Sequence, residues 1–343
     1  MIMPTLMARE AAEAPQAVAR LIAKNEHACR TLGERLRRYP PRFVVTCARG
    51  SSDAAATYAK YLIEIALGVV VASVGPSISS VYGGRPKMRD ALFLAISQSG
   101  RSPDLITLAE AARADGALTV ALVNDTASPL AGLCQVVLPL NAWPERSVAA
   151  TKSYIAALAA ILQLVRHWSD DNTLEPALSR LAADLTAAAA CDWLAALPEL
   201  RNATSLYALG RGPGYGAALE AAIKLKETCG LHAEAQSAAE LMHGPMALAA
   251  PDFPVILFSQ RDKALEGLAA LAKMLVGRGV PVIAAGPVAG YGSLALPGAD
   301  DLHPFAQPIA LVQSFYPLAE ALARARGRDP DAPPHLHKVT ETR

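Results

Sequence analysis

Residues 220, 224 and 227 are Glu, Lys and Glu. Their i, i+4, i+7 spacing puts them on one helix face. The rest of that segment, GAALEAAIKLKE, is nearly all Ala, Leu and Ile. Two carboxylates and an amine on one face are the groups that proton transfer needs. The same pattern is also that of an ordinary solvated stripe. A second candidate is AISQSGRSPD, residues 95–104. Here an apolar run stops at three hydroxyls, an amide and a glycine, just before an amphipathic stretch. Ser97, Gln98, Ser99 and Ser102 with Gly100 could cradle an anion at a helix N-terminus, where N–H groups are unpaired and the dipole is positive. A plain turn with a helix cap is the competing reading. His243 in ELMHGP and Lys338 in HLHKVTETR are lone titratable residues. By type alone they read as a structural histidine and a solvated tail lysine.

The elements that must position these groups alternate along the chain. Phe43–Cys47, Val69–Ala72, Ala91–Ile96 and Leu118–Val123 are short apolar runs, and Ala54–Ala66 is helical in pattern. Apolar runs separated by helices predict buried parallel strands in an α/β sheet. Glu220, Lys224 and Glu227 follow the glycine-rich turn Gly210–Gly216 at the C-terminal end of a strand, where such sheets place ligands. The 150–200 region is Ala/Leu-rich with no strand candidate.

The second half repeats the first. ARGSSDAAATYAKYLIE (48–64) resembles GRGPGYGAALEAAIKLKE (210–227), and ALFLAISQSGRSPD onward (91–123) resembles FPVILFSQRDKALE onward (253–285). Arg211 minus Arg49 is 162, and Ser259 minus Ser97 is also 162. Two matches at one offset indicate an internal duplication. In the second copy SQSGRS becomes SQRDKA, with Asp262 available as a cap, so the fold does not require the hydroxyl-rich loop.

Composition sets the outer limits. A length of 343 residues suits two domains. With 18% charged residues and a net charge of +1, there is no field for nucleic acid. Five cysteines, odd in number and without CxxC spacing, read as core residues in a reducing compartment. Neither a signal peptide nor a bilayer-length apolar run is legible, so a cytoplasmic location is expected. The GRGPGYG turn raises a dinucleotide-binding reading, but Tyr215 breaks the GxGxxG pattern. The histidines and acids lack metal-ligand spacing.

The order of these motifs resembles the sugar isomerase (SIS) family, in particular the isomerase half of glutamine–fructose-6-phosphate aminotransferase. The resemblance covers nearly the whole chain. It is carried by TLMAREAAEAPQ at the start, SQSGRS, SVAATKSYIAAL (147–158), the segment LGRGPGYG to HGPMAL (209–248), and HLHKVTETR. It implies an α/β fold of two duplicated SIS lobes, each a doubly wound, flavodoxin-like parallel sheet flanked by helices. The expected layout is a helical segment 1–40, a phosphate-binding lobe 41–165, a helical linker 166–200, a catalytic lobe 201–330 and a tail 331–343. No glutaminase half is legible, which makes the chain similar to stand-alone type II glucosamine-6-phosphate deaminases. The expected reaction is glucosamine 6-phosphate plus water to fructose 6-phosphate plus ammonia.

The resemblance also implies roles. Glu227 matches the glutamate that shuttles the proton between C1 and C2, with Lys224 and Glu220 as its polar neighbours. His243 matches the ring-opening histidine, which in the family comes from the neighbouring subunit, so a homodimer is expected. Lys338 matches the tail lysine that forms a Schiff base, a role requiring a desolvated or cationic setting. Ser97, Gln98, Ser99 and Ser102 match the phosphate loop, Ser52 a sugar or phosphate contact, and Val148 a backbone contact to sugar. No cofactor or metal is implied, and neither a membrane nor a nucleic-acid partner. Three departures stand out. Ala150 replaces a family serine, Arg101 replaces a glutamate, and Lys-Val-Thr replaces Lys-Ser-Val-Thr in the tail. Galactosamine 6-phosphate or a 6-phosphofructosyl-amino acid as substrate, and a non-catalytic sugar-phosphate sensor, are the alternatives.

Overall fold

A computed structural model describes residues 4–298 and 301–338. The chain divides into two compact units. Among the described residues, lobe one comprises Gln16–Glu145, Lys152–Ser179 and 337–338; lobe two comprises 4–15, Arg146–Thr151, 180–298 and 301–336. The division does not follow chain order.

Lobe one holds five parallel strands: β1 (Val44–Cys47), β2 (Val71–Ser73), β3 (Leu92–Ser97), β4 (Leu118–Val123) and β5 (Val136–Pro139), in the order β2-β1-β3-β4-β5. Strands β1 and β3 are buried along their whole length, which is why they read as unbroken apolar runs rather than alternating ones. Their register pairs Val44 with Leu92 and Cys47 with Ala95. The helix Ser51–Leu67 carries the chain from β1 to β2 and stops at Gly68, which is left-handed (φ 66°). The helix Pro103–Ala114 carries it from β3 to β4. Leu105, Leu108, Ala109 and Ala112 from that helix join Phe93, Ala95, Ala121 and Val123 in one buried cluster.

Lobe two has the same topology. Its strands are β6 (Ser205–Gly210), β7 (His232–Ser237), β8 (Val255–Phe258), β9 (Val282–Ala285) and β10 (Leu294–Leu296), in the order β10-β9-β8-β6-β7 and parallel throughout. Counted within each lobe, both sheets run 2-1-3-4-5, the flavodoxin-like order. The helices Gly214–Cys229 and Leu265–Gly277 stand where Ser51–Leu67 and Pro103–Ala114 stand in lobe one. The duplication read from sequence is therefore present as structure.

The predicted strands all exist, with ends moved by one or two residues. Val69 precedes β2 because the chain is still leaving the Gly68 turn, although the Val70 carbonyl already accepts from Val44 N–H (2.9 Å). Ser97 is the last residue of β3 and pairs with Val123, so the first hydroxyl of SQSGRS sits on the strand itself. β5 was not predicted; its VVLP is half exposed at a sheet edge and too short to stand out. Residues 150–200 contain helices and no strand. Among the described residues, no single helix is long and apolar enough to cross a membrane.

Candidate functional site

In lobe one, the chain turns away in opposite directions after β1 and β3, which opens a crevice at their C-terminal ends. Both loops there carry the predicted residues. After β1, Gly50 takes φ 56° and starts the helix that holds Ser52 in its first turn. Asp53 beside it has its carboxyl raised, by burial, against the opposing pull of Arg49. Arg49 reaches across to Asp104, buried at the start of the other helix, at 2.6 Å. This ion pair ties the two loops together. Sequence reading passed over it, because Arg and Asp 55 residues apart carry no local signal.

After β3, the loop is preformed by its own hydroxyls. Ser97 Oγ accepts from Gly100 N–H (3.0 Å) and Ser99 Oγ from Arg101 N–H (3.3 Å). Gly100 takes φ 63°, and a Cβ there would run into the Ser128 side chain, so both conformation and space demand glycine. The Gln98 carbonyl accepts from Asn124 and Asp125 N–H groups. Arg101 is ion-paired with Asp125 at 2.8 Å, and that hydrogen bond holds the Asp125 carboxyl below its usual range. Ser102 occupies the N-cap position of the helix Pro103–Ala114 yet makes no side-chain capping bond. Its Oγ is buried with no hydrogen-bond partner. Pro103 at the first helical position has no N–H to cap. The capping alternative for this serine thus lacks its bond.

Lys338 also belongs to lobe one. Its Nζ donates to Glu145 Oε2 at 3.0 Å, and the side chains are 23% and 0% exposed. Its side chain is largely withdrawn from solvent, and the charged group bonded to it is a buried carboxylate. The spacing of the tail beyond the lysine falls on residues 339–343, outside the described residues.

In lobe two, the helix Gly214–Cys229 begins after Gly210, Arg211, Gly212 and Pro213. Gly210 packs against the Gly214 carbonyl, where any Cβ would clash. This lets the helix start directly off β6. Glu220 and Lys224 are fully buried, and Glu227 keeps 29% of its side chain exposed. Lys224 Nζ donates to Glu227 Oε2 and lies 3.7 Å from Glu220 Oε1. Tyr316, on the helix Gln307–Ala325, donates to Glu220 Oε1 (3.0 Å) and to the Thr151 carbonyl (3.4 Å). The solvated-stripe reading of this face is wrong, because two of its three charges have no exposure. What the structure shows instead is a carboxylate at a surface, aimed by a buried ammonium that lies beside a second, buried carboxylate, to which a phenol donates.

Two further predicted residues lie in lobe two. Val148 is half buried, just after a turn whose Arg146 and Ser147 N–H groups are accepted by the buried Glu10 carboxylate. Ser147 Oγ beside it is buried without a partner. His243 is exposed at the end of the short turn Glu240–His243, and Gly244 follows with φ 140°. Met242 and Leu248 around it are each 57% exposed. Sequence reasoning missed Glu145, Ser147, Arg49, Asp104 and Tyr316. Ser147 opens the quoted SVAATK stretch without being singled out, and Glu145 lies two residues before it. Tyr316 had no signal.

The lobes define a doubled sugar-isomerase fold, and comparison with known proteins agrees. The SIS domain model matches residues 39–166 and 199–285, and the chain belongs to this family. It is 30% identical to the glutamine–fructose-6-phosphate aminotransferase [isomerizing] of Thermococcus kodakarensis, over 98% of this chain and 58% of that protein. The Thermotoga maritima enzyme of the same name is 32% identical over 97% of this chain and 58% of its own length. The chain therefore spans 58% of the length of these two curated relatives. Among solved structures, a provisionally named phosphosugar isomerase from Silicibacter pomeroyi DSS-3 superposes with a TM-score of 0.88 at 43% identity, covering 96% of this chain and 100% of that one. The C-terminal domain of glucosamine-fructose-6-phosphate aminotransferase from Francisella tularensis shares the fold, with a TM-score of 0.83 at 24% identity over 96% and 98% of the two chains.

Proposed function

We propose that this chain is an isomerising enzyme of amino-sugar phosphates, converting glucosamine 6-phosphate and water to fructose 6-phosphate and ammonia. The observation that carries the reading is the Glu220–Lys224–Glu227 array: a single accessible carboxylate with a fixed direction and an ammonium at its back. Such a group suits the transfer of one proton between adjacent carbons of an open-chain sugar. Ser97, Gln98, Ser99 and Ser102, with Ser52, are assigned to the 6-phosphate. The preformed loop and the unpartnered Ser102 hydroxyl support that assignment. Val148 is assigned a backbone contact to sugar.

Chemically, the ring opens to an aldehyde, with His243 as its acid–base group. Glu227 takes the proton from C2 and returns it to C1, leaving an imine at C2. Lys338 displaces ammonia from that imine, and water releases the ketose. The exposure of His243 between Met242 and Leu248 fits a histidine supplied to a second copy of the chain, as in a homodimer. The relatives' names support an amino-sugar phosphate as substrate class.

The test is release of fructose 6-phosphate and ammonia from glucosamine 6-phosphate by purified protein, without glutamine or added metal. Equal amounts of both products support the reading. Glu227→Gln should abolish turnover and leave sugar-phosphate binding largely intact, and full activity in that variant would remove Glu227 from its role. If no product forms but galactosamine 6-phosphate or a 6-phosphofructosyl-amino acid turns over, the substrate assignment is wrong and the proton shuttle stands.

A further inference from the structure

The turn between β5 and the helix Lys152–Ser169 is held in a strained backbone conformation. Asn141 (φ 52°) and Trp143 (φ 59°) both lie in the left-handed region, at a cost of about 1–2 kcal/mol each. The conformation is held from outside. Asn124 accepts from Ala142 N–H (2.9 Å) and donates to the Trp143 carbonyl (2.8 Å). Arg20 donates to the Asn141 carbonyl, and its guanidinium lies 3.3 Å from the centre of the Trp143 ring. What this over-determined turn delivers is Glu145. Its carboxylate is fully buried at the N-terminus of an 18-residue helix. Oε1 accepts from Ser153 N–H (3.1 Å), and Oε2 accepts from Ser153 Oγ (2.7 Å) and Lys338 Nζ (3.0 Å). Lys338 is bonded to this carboxylate, and the Lys152 Nζ donates to the carbonyl of the preceding residue, Pro144 (2.8 Å).

From this geometry we infer that Glu145 is a positioning residue for Lys338 that also takes its proton, turning the ammonium into the amine that attacks C2 of the sugar. The inference rests on the Schiff-base role proposed for Lys338. A lysine nucleophile must lose a proton before it attacks, and a carboxylate at 3.0 Å is within transfer distance. The step balances without any outside reagent. The ammonium gives one proton to Glu145, and the free amine adds to C2 of the sugar, an imine carbon in the deamination and the ketone carbon of fructose 6-phosphate in the test below. The addition product loses ammonia, or water from the ketose, as the carboxylic acid returns its proton, leaving a protonated imine and the carboxylate. A tail anchor alone would not require this arrangement, since burying an ion pair carries a desolvation cost and an apolar contact anchors a tail as well. The Ser153 donors hold the carboxylate still whichever protonation state Lys338 is in.

The test is reductive trapping of fructose 6-phosphate with cyanoborohydride, with the modified peptide mapped by mass spectrometry at pH 7 and at pH 9.5. The wild type should trap on Lys338. Glu145→Gln keeps the shape and removes the base, so trapping should slow about a hundredfold at pH 7. At pH 9.5 hydroxide does the work of the base, and most of the deficit should disappear. Glu145→Asp keeps the charge and should recover part of the pH 7 rate. If Glu145→Gln does not fold, judged by its melting temperature, the Asp variant and the wild type at the two pH values decide the matter. Wild-type-like trapping in Glu145→Gln at pH 7 would overturn the inference, as would a deficit equal at both pH values, which marks a structural role. A wild type that traps elsewhere than Lys338 would overturn the Schiff-base reading itself, a result separable from any behaviour of Glu145.

Discussion

Lys224 gives the sharpest test of how lobe two holds its carboxylates. It is fully buried between Glu220, also fully buried, and Glu227, which is 29% exposed. Lys224→Met keeps the stem and removes the charge, leaving the Glu220 carboxylate in the interior with the Tyr316 hydroxyl on one oxygen. Removing one partner of a buried ion pair costs about 3–5 kcal/mol, because the other charge stays desolvated. That is a large fraction of the roughly 5–15 kcal/mol of a typical domain, so the variant should unfold at much lower urea. The double variant Glu220→Gln/Lys224→Met removes both charges and should recover most of the loss, since an apolar or neutral replacement of a whole buried pair is often close to neutral. The assay is urea unfolding followed by circular dichroism on wild type, both single variants and the double. A loss below about 1 kcal/mol in Lys224→Met would mean the pair behaves as a surface one. A double variant as unstable as the two singles combined would mean the residues are not coupled. Either result would break the account of Glu227 as a group aimed from behind.

Two further predictions address the other lobe. Ser102→Ala removes a buried hydroxyl that has no partner, so stability should hold or rise, whereas loss of a true cap costs about 1 kcal/mol. The KM for a sugar phosphate should still rise about tenfold to a hundredfold, as expected for one hydrogen bond to a charged group; lower stability with unchanged KM would mean the serine is a cap. Burial pushes the Cys29 and Cys47 thiols up to about 12, helped at Cys29 by the charge of Glu26 and opposed at Cys47 by Arg49. The folded thiols stay protonated while unfolded ones ionise above their ordinary value of 9.0. Stability is therefore complete below that value and falls as pH rises toward 12, by about 1.4 kcal/mol per pH unit per thiol. Urea midpoints at pH 8 and pH 10 should show the drop, and Cys29→Ala should make it smaller; an equal drop in that variant would exclude the thiol.

What sequence revealed, and what it hid, follows from the range of the interactions. Strands β1, β3 and β4 were legible because burial on both faces makes each an unbroken apolar run. The face carrying Glu220, Lys224 and Glu227 was legible as a face, but not as buried, since periodicity does not tell an ion array turned inward from one turned toward water. Its burial is decided by the helix Gln307–Ala325 and by Tyr316, 96 residues from Glu220. The partner of Lys338 was hidden for the same reason: Glu145 lies 193 residues away, in a turn whose shape depends on Asn124 and Arg20. Position along the chain indicated which residues carry titratable or hydroxyl groups at notable spacings. Only long-range packing indicated what each one faces.

The failed repeat says most about the SQSGRS loop. With the offset of 162, Ser259 and Gln260 in lobe two occupy the places of Ser97 and Gln98, and Asp262 the place of Gly100. The strand and helix on either side are kept. In lobe two the loop is filled by the chain itself. Asp262 Oδ2 accepts from the Gln260 amide and Oδ1 from Ala264 N–H, both at 2.8 Å. Gln260 also donates to the Arg211 carbonyl (2.8 Å), closing the loop onto the turn after β6. A fixed carboxylate there repels any second anion. In lobe one glycine removes that carboxylate, the hydroxyls of Ser97 and Ser99 take over the shaping of the backbone, and the Ser102 hydroxyl is left over. The same scaffold thus yields one loop whose negative charge is built in and one that lacks it. The unpartnered donor occurs in the loop without the charge, which is where an anion brought by the substrate would complete it.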